Sequence, residues 1–352
     1  MLQVALTPME SGEWISQRSG AVRVDIPRCH QLARQIMDSI QDGTIGDIEY
    51  KASPLHPEGL SDEQHLNWVF VIDTLNFSFW PNDNEEYYVD YRGNREVGYL
   101  AMCAAFMKAY EGDIPICDAG WMETVTEEDL GKILVSGSGH AIPMLHQRAR
   151  ALNESGKWLK DRYNGQMMGV VRACGTSAQS LLRTILTIES FRDQTSFRGA
   201  NVWLLNRAQV LVADVYSVLK GSSTQEFRYL VNYIDIDTIT MFADYRVPQA
   251  LCHLGIMHYS PQLRLRLDNG EVMPFADDME IEIRGCSIYA VNEIFKAVIR
   301  MRLNDYMGVN WYTAHRPIFA IDIHAWLLQY RREHAQAVDA AVPFHRCRQI
   351  YY

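Results

Sequence analysis

Apolar residues recur at three- and four-residue spacing through most of this chain, the period of a helix with one buried face. Leu32, Ile36, Met37 and Ile40 predict a helix over 29–41, stopped by Asp42 and Gly43. Ala208, Leu211, Val212, Val215, Val218 and Leu219 predict another over 206–220, and the same spacing predicts helices over 97–110, 177–190, 248–257, 261–267, 281–303 and 317–332. A long helix over 143–163 opens with Pro143 in its first turn and closes at Asn164 and Gly165. A further one starts at Thr126, where Glu127, Glu128 and Asp129 suit the helix dipole. Extended structure is expected only over 87–99, where Arg92, Gly93 and Asn94 predict a hairpin turn, and over 201–205. Residues 66–80 (LNWVFVIDTLNFSFW) are too uniformly apolar to assign by period; Asp73, Asn76 and Ser78 are polar exceptions that brace the core or face a pocket. Pro54 and Pro57 predict a loop over 51–59, residues 303–316 are the expected loop insertion, and Ser136 to Gly139 are expected to form a helix-ending turn, since no Gly-Lys-Ser/Thr follows. The sum is a mainly α, multi-helix globular fold with a small antiparallel β hairpin region.

Composition narrows the function classes. At 352 residues and 48% hydrophobic content the chain can bury a full core, and a formal charge of −10 opposes wrapping a phosphate backbone, so no stable DNA or RNA binding is expected. The first twenty residues carry acids and glycine where a secretory signal needs a basic start and an apolar middle, and no apolar run is long enough for a membrane span, so a cytoplasmic protein is expected. Seven widely spaced cysteines without a Cys-x-x-Cys predict reduced thiols. His-Glu-x-x-His and Gly-x-Ser-x-Gly are both absent, which disfavours zinc and serine hydrolase chemistry, and no cofactor is implied.

Asp244 is the residue that asks for an explanation. It stands in 239–249 (ITMFADYRVPQ), a short apolar stretch where an ionised carboxylate costs several kcal/mol unless something pairs with it. An ion pair with Arg246, a cap on a helix starting near Val247, and a carboxylate that meets a ligand are all open uses. Asp322 lies in a comparably apolar helix, 319–326 (FAIDIHAW), with Trp326 one turn on, so both should line one face while His324 points elsewhere. His56, between Pro54 and Pro57, is presented by rigid neighbours. Two recessed acids with aromatics nearby suit a nitrogen heterocycle: a carboxylate accepts paired N–H bonds from a guanine-like edge while an aromatic ring stacks on the face. A carboxylate beside an anomeric carbon also stabilises an oxocarbenium-like transition state.

The segments 67–80 (NWVFVIDTLNFSFW), 207–214 (RAQVLVAD), 239–249 (ITMFADYRVPQ), 283–286 (IRGC) and 343–352 (PFHRCRQIYY) closely resemble the queuosine salvage protein family, whose members are queuosine 5′-phosphate N-glycosylase/hydrolases. The resemblance implies one hydrolase unit over 1–352, divisible into lobes at 1–140 and 141–352, with a fold similar to helix-hairpin-helix DNA glycosylases. It implies cleavage of the N-glycosidic bond of queuosine 5′-monophosphate and release of queuine for reuse in tRNA. Asp244 then matches the catalytic acid and Phe242 an aromatic against the base, while His56, Asp322 and Trp326 match pocket positions. Arg207, Arg246 and either Arg346 or Arg348 are candidate cations for the 5′-phosphate. Leu327 stands where the family pattern carries a second acid. The competing readings are a non-catalytic carrier of queuine or a modified nucleoside, and a true DNA glycosylase, which the acidic charge opposes.

Overall fold

The stripe over 206–220 forms the Asn206–Lys220 helix, with Ala208, Leu211, Val212, Val215, Val218 and Leu219 all buried. The computed structural model describes residues 5–41, 55–82, 85–305 and 317–352, which are mainly helical with four small two-stranded sheets. The chain divides into two compact units.

The first unit comprises Met1–Ile48, Asp193–Asn206 and Ile236–Arg348. Its spine is the 28-residue helix Asp278–Asp305, with helices Pro8–Arg18 and Ile26–Gln41 packed on it. Pro8–Arg18 was not expected from apolar spacing, yet it carries a local start signal: Thr7 and Glu10 form a reciprocal capping box around Pro8. Two glycines let it approach the spine, because a Cβ on Gly285 would stand 2.4 Å from Ile15 Cδ1 and one on Gly12 would stand 2.8 Å from Ile288 Cγ2. Gly285→Ala is therefore expected to destabilise the protein by about 1–3 kcal/mol, read as a lower urea midpoint at unchanged m-value.

Strand Val22–Val24 pairs antiparallel with Met257–Tyr259, Gln194–Phe197 pairs antiparallel with Ala200–Trp203, and Val272–Met273 runs parallel to Arg346–Cys347. The first of these pairs corrects the expected 248–257 helix. The observed helix Val247–His253 ends where Gly255 takes φ +70°, and Met257 leaves to join a strand. Val247 and Leu251 of that helix, Ile323 and Leu327 of helix Ala320–Glu333, and Ile281, Val291 and Ile294 of the spine share one buried apolar cluster.

The second unit comprises Glu49–Arg192, Arg207–Asp235 and Gln349–Tyr352. Helix Asp62–Thr74 starts with a capping box between Ser61 and Gln64, and every residue from His65 to Thr74 is buried, so no polar face marks its period. Beyond it the rest of the stretch left unassigned by period is a pinned loop: Ser78 sits at φ 47°, and the fully buried Arg148 donates to the carbonyls of Leu75 and Phe77. Ser78 also donates its N–H to Tyr352 O and its hydroxyl to Gln349 O, each at 2.8 Å, drawing in the C-terminal residues. Strands Tyr88–Tyr91 and Asn94–Val97 form the expected hairpin, with Arg92 and Gly93 at φ 45° and 84° in the turn.

Helix Leu145–Tyr163 starts after Pro143 because Met144 is left-handed at φ 58°, and it ends at Asn164 as expected. The 177–190 helix stops at Ile185. Ser136 to Gly139 do not end a helix directly. They close a bridge between Val135 and Ala141, and Ser136 Oγ accepts the Tyr88 N–H at 3.0 Å. Parts of two expected loops, 51–54 and 306–316, lie outside the described residues.

Asp73 of this unit is fully buried against Asp214, and neither of its oxygens meets an N–H or hydroxyl donor. A hydrogen bond between two carboxyls requires one of them to be protonated. Burial raises Asp73 well above the carboxylate range, the Asp214 charge raises it further and Arg207 opposes the rise; burial raises Asp214 to about 8. A folded-state value raised above the unfolded one contributes stability at low pH that is lost as pH climbs to about 8. Asp214→Asn is therefore expected to flatten the fall in melting temperature between weakly acidic pH and pH ~8, checked by calorimetry across that range.

Among the described residues no helix is long and apolar enough to cross a membrane, and no group of three or more His, Cys, Asp or Glu side chains is placed to hold a metal ion. All seven cysteines are free thiols.

Candidate active site

From Met241 to Val247 burial alternates. Met241, Ala243, Tyr245 and Val247 enter the core, while Phe242, Asp244 and Arg246 are half-buried, so the candidate acid, aromatic and base share the other side of one short segment. The segment leads into helix Val247–His253, whose orphan N–H groups decide the posture of Asp244. Its Oδ1 accepts the Arg246 N–H at 2.8 Å and the Val247 N–H at 2.9 Å. The capping use foreseen for Asp244 is thus real, and it occupies one carboxylate oxygen. Burial raises the Asp244 pKa; the two backbone N–H groups and the guanidinium groups of Arg246 and Arg284 pull against it.

The segment is anchored from behind by Arg284 of the spine helix, which is 2% exposed. Its Nε donates to Ala243 O at 2.8 Å, one residue before Asp244, and its two terminal nitrogens pair with Asp193. Glu280, one helical turn earlier, is a second buried carboxylate 3.4 Å from Arg284. Three buried charges therefore fix the backbone that carries the candidate acid.

Phe242 meets His324, their ring centroids 4.5 Å apart and tilted by 59°. Sequence spacing turned His324 away from the site, but the structure sets its ring against the predicted base-contacting aromatic. Asp322 is buried at the start of helix Ala320–Glu333, where its Oδ2 accepts the Phe319 N–H at 2.7 Å. Trp326 stacks on Tyr330 at 5.6 Å, and the Tyr330 hydroxyl hydrogen-bonds with His253 Nδ1 at 2.8 Å. Leu327 is fully buried in the apolar cluster, so this position faces the core.

Arg246 reaches Gln249 Oε1 at 3.1 Å and Asp339 at 3.5 Å and lies over Phe344 at 4.9 Å; Arg331 holds both oxygens of the same Asp339 at 2.7 Å. Two guanidinium groups on one carboxylate leave the cluster with a net positive charge. Arg346 approaches Phe344 at 5.7 Å.

His56 and Arg207 belong to the second unit. His56 is buried with its ring edge toward Trp68 at 6.2 Å. Arg207 is 1% exposed, donates to the carbonyls of Thr74 and Ser190, and lies over Phe191 at 4.6 Å and Phe77 at 5.0 Å. Those bonds make it a clamp between backbone segments.

Comparison with known proteins gives the family. The family model described as queuosine salvage protein matches residues 55–352. The chain belongs to the queuosine salvage protein family. Its relatives named queuosine 5′-phosphate N-glycosylase/hydrolase include one from Mus musculus, 38% identical over 99% of both chains. Another from Schizosaccharomyces pombe is 32% identical over 98% of this chain and 99% of the relative, and one from Sphaerobacter thermophilus is 34% identical over 82% of each. In this chain the residues that sequence spacing missed are His324 and the Arg284, Asp193 and Glu280 cluster. Glu280 and Arg284 are four apart on the spine helix, a spacing at which opposite charges pair, and that was the available signal.

Proposed function

We propose that the chain hydrolyses the N-glycosidic bond of queuosine 5′-monophosphate and releases queuine for reuse in tRNA. The observation that carries this reading is Asp244: a recessed carboxylate with Oδ1 tethered by two backbone N–H groups, beside Phe242, in a family whose relatives are named for that reaction. Tethering one oxygen orients the carboxylate without protonating it, and the remaining oxygen can face positive charge as it develops on ribose. Queuine has carbon where purines have N7, so protonation there cannot activate the leaving group, and more of the barrier falls to stabilising the sugar cation. Phe242 packs on the base, Asp322 and Trp326 complete its surroundings, and Arg246, whose side chain is 32% exposed, suits the 5′-phosphate better than the enclosed Arg207. The whole chain acts as one hydrolase unit in the cytoplasm, with a helical scaffold similar to helix-hairpin-helix DNA glycosylases and no stable nucleic-acid complex, in keeping with its charge of −10.

Incubation of the purified chain with queuosine 5′-monophosphate, followed by chromatography for free base, tests this. Queuine and ribose 5-phosphate are expected; recovery of intact nucleotide from a folded protein that binds it would replace the hydrolase reading with that of a carrier.

A further inference from the structure

His324 carries a requirement that the protein itself does not meet. It is 5% exposed, and its Nδ1 is buried without a hydrogen-bond partner. Burial, helped by the charge of Arg332, pushes the imidazole down to about 3, so at neutral pH the ring is uncharged, with one nitrogen donating and the other accepting. Native cores pair such groups, and an orphan beside a candidate site points to a missing partner. His253 of the same unit shows the alternative, because its Nδ1 is matched to the Tyr330 hydroxyl at 2.8 Å. His324 also sits at a defined place, with its ring centroid 4.5 Å from that of Phe242.

Resting on the hydrolase reading of Asp244 and Phe242, we propose that His324 is a base-recognition residue, its Nδ1 bonding the polar edge of the 7-deazaguanine ring while Phe242 packs on the face. A guanine-like edge sets a carbonyl beside a ring N–H, so Nδ1 finds a partner in either tautomer: it donates to the carbonyl or accepts from the N–H. An uncharged imidazole suits this role, because it selects by hydrogen-bond pattern without adding a positive charge beside a sugar that must itself become cationic. Recognition of this kind discriminates against bases that lack the carbonyl and N–H pair, since they leave Nδ1 unpaired.

The test is a titration of the ¹⁵N-histidine-labelled full chain with queuine, alongside kinetics on queuosine 5′-monophosphate. Binding of queuine is expected to shift the His324 imidazole nitrogen resonances, and a saturated complex with those resonances unmoved overturns the proposal, as does failure of queuine to bind at all. His324→Phe is expected to weaken queuine binding and raise KM at least tenfold with a smaller change in kcat and no loss of melting temperature, while His324→Gln recovers part of the affinity. His324→Phe binding queuine as tightly as the wild type overturns the proposal as well. A wild type that binds queuine but releases none from the nucleotide sinks the hydrolase reading alone, and the resonance shift still judges His324.

Discussion

Asp244→Asn is expected to keep the fold and lower queuine release by about 10²–10³-fold or more, the range seen when a preorganised electrostatic stabiliser is removed. The substitution separates the two uses of this side chain. Its amide oxygen still accepts the Arg246 and Val247 N–H groups, so the helix cap survives, while the negative charge facing the sugar is gone. Asp244→Ala removes both and should in addition cost about 1 kcal/mol of stability for the lost cap. Single-turnover kinetics with the nucleotide, paired with calorimetry, check the pair of variants; release at the wild-type rate from Asp244→Asn would remove this residue from the mechanism. The pH profile carries a further sign. The carboxylate must be ionised to act and burial raises its pKa, so activity should climb along an acid limb whose midpoint lies above the ordinary aspartate range and should vanish below it.

Arg284→Met should produce the largest loss of stability, about 3–5 kcal/mol, because it removes the buried guanidinium that pairs with two buried carboxylates, Asp193 and Glu280. It also leaves the Ala243 carbonyl without its donor, freeing the backbone one residue before Asp244. Urea unfolding measures the first effect. The second is read below the unfolding transition as a fall in kcat, together with an acid limb displaced to higher pH, since a cation that favours the ionised Asp244 has been removed. Arg284→Lys keeps the charge without the planar fork and should lie between.

Helices with one buried face were legible in the sequence: Asn206–Lys220 forms over the full span that its stripe marks. Asp62–Thr74 was not, because burial on all sides erases the polar face from which a period is read. Short strands such as Met257–Tyr259 also escaped, since their partners lie far away in sequence and nothing local announces the pairing. In the site, the recessed acid was visible as an anomaly of composition, and even its capping bond could be foreseen. The contact between Phe242 and His324 could not, because it depends on how helix Ala320–Glu333 is turned about its axis, which is set by packing against helix Val247–His253.

The interleaving of the two units has a consequence for how the protein is made. The chain passes from one unit to the other five times, and the spine helix Asp278–Asp305 receives helices from the first 48 residues. Each unit is assembled from three separate stretches, the last of which ends at Arg348 or Tyr352, so neither is complete on the ribosome until almost the entire polypeptide has emerged, and the exposed apolar faces of the early helices must wait. Nascent chains arrested before residue 278 should therefore stay protease-sensitive and depend on chaperones, and dissection into separately expressed halves should recover a folded protein only when both are present together.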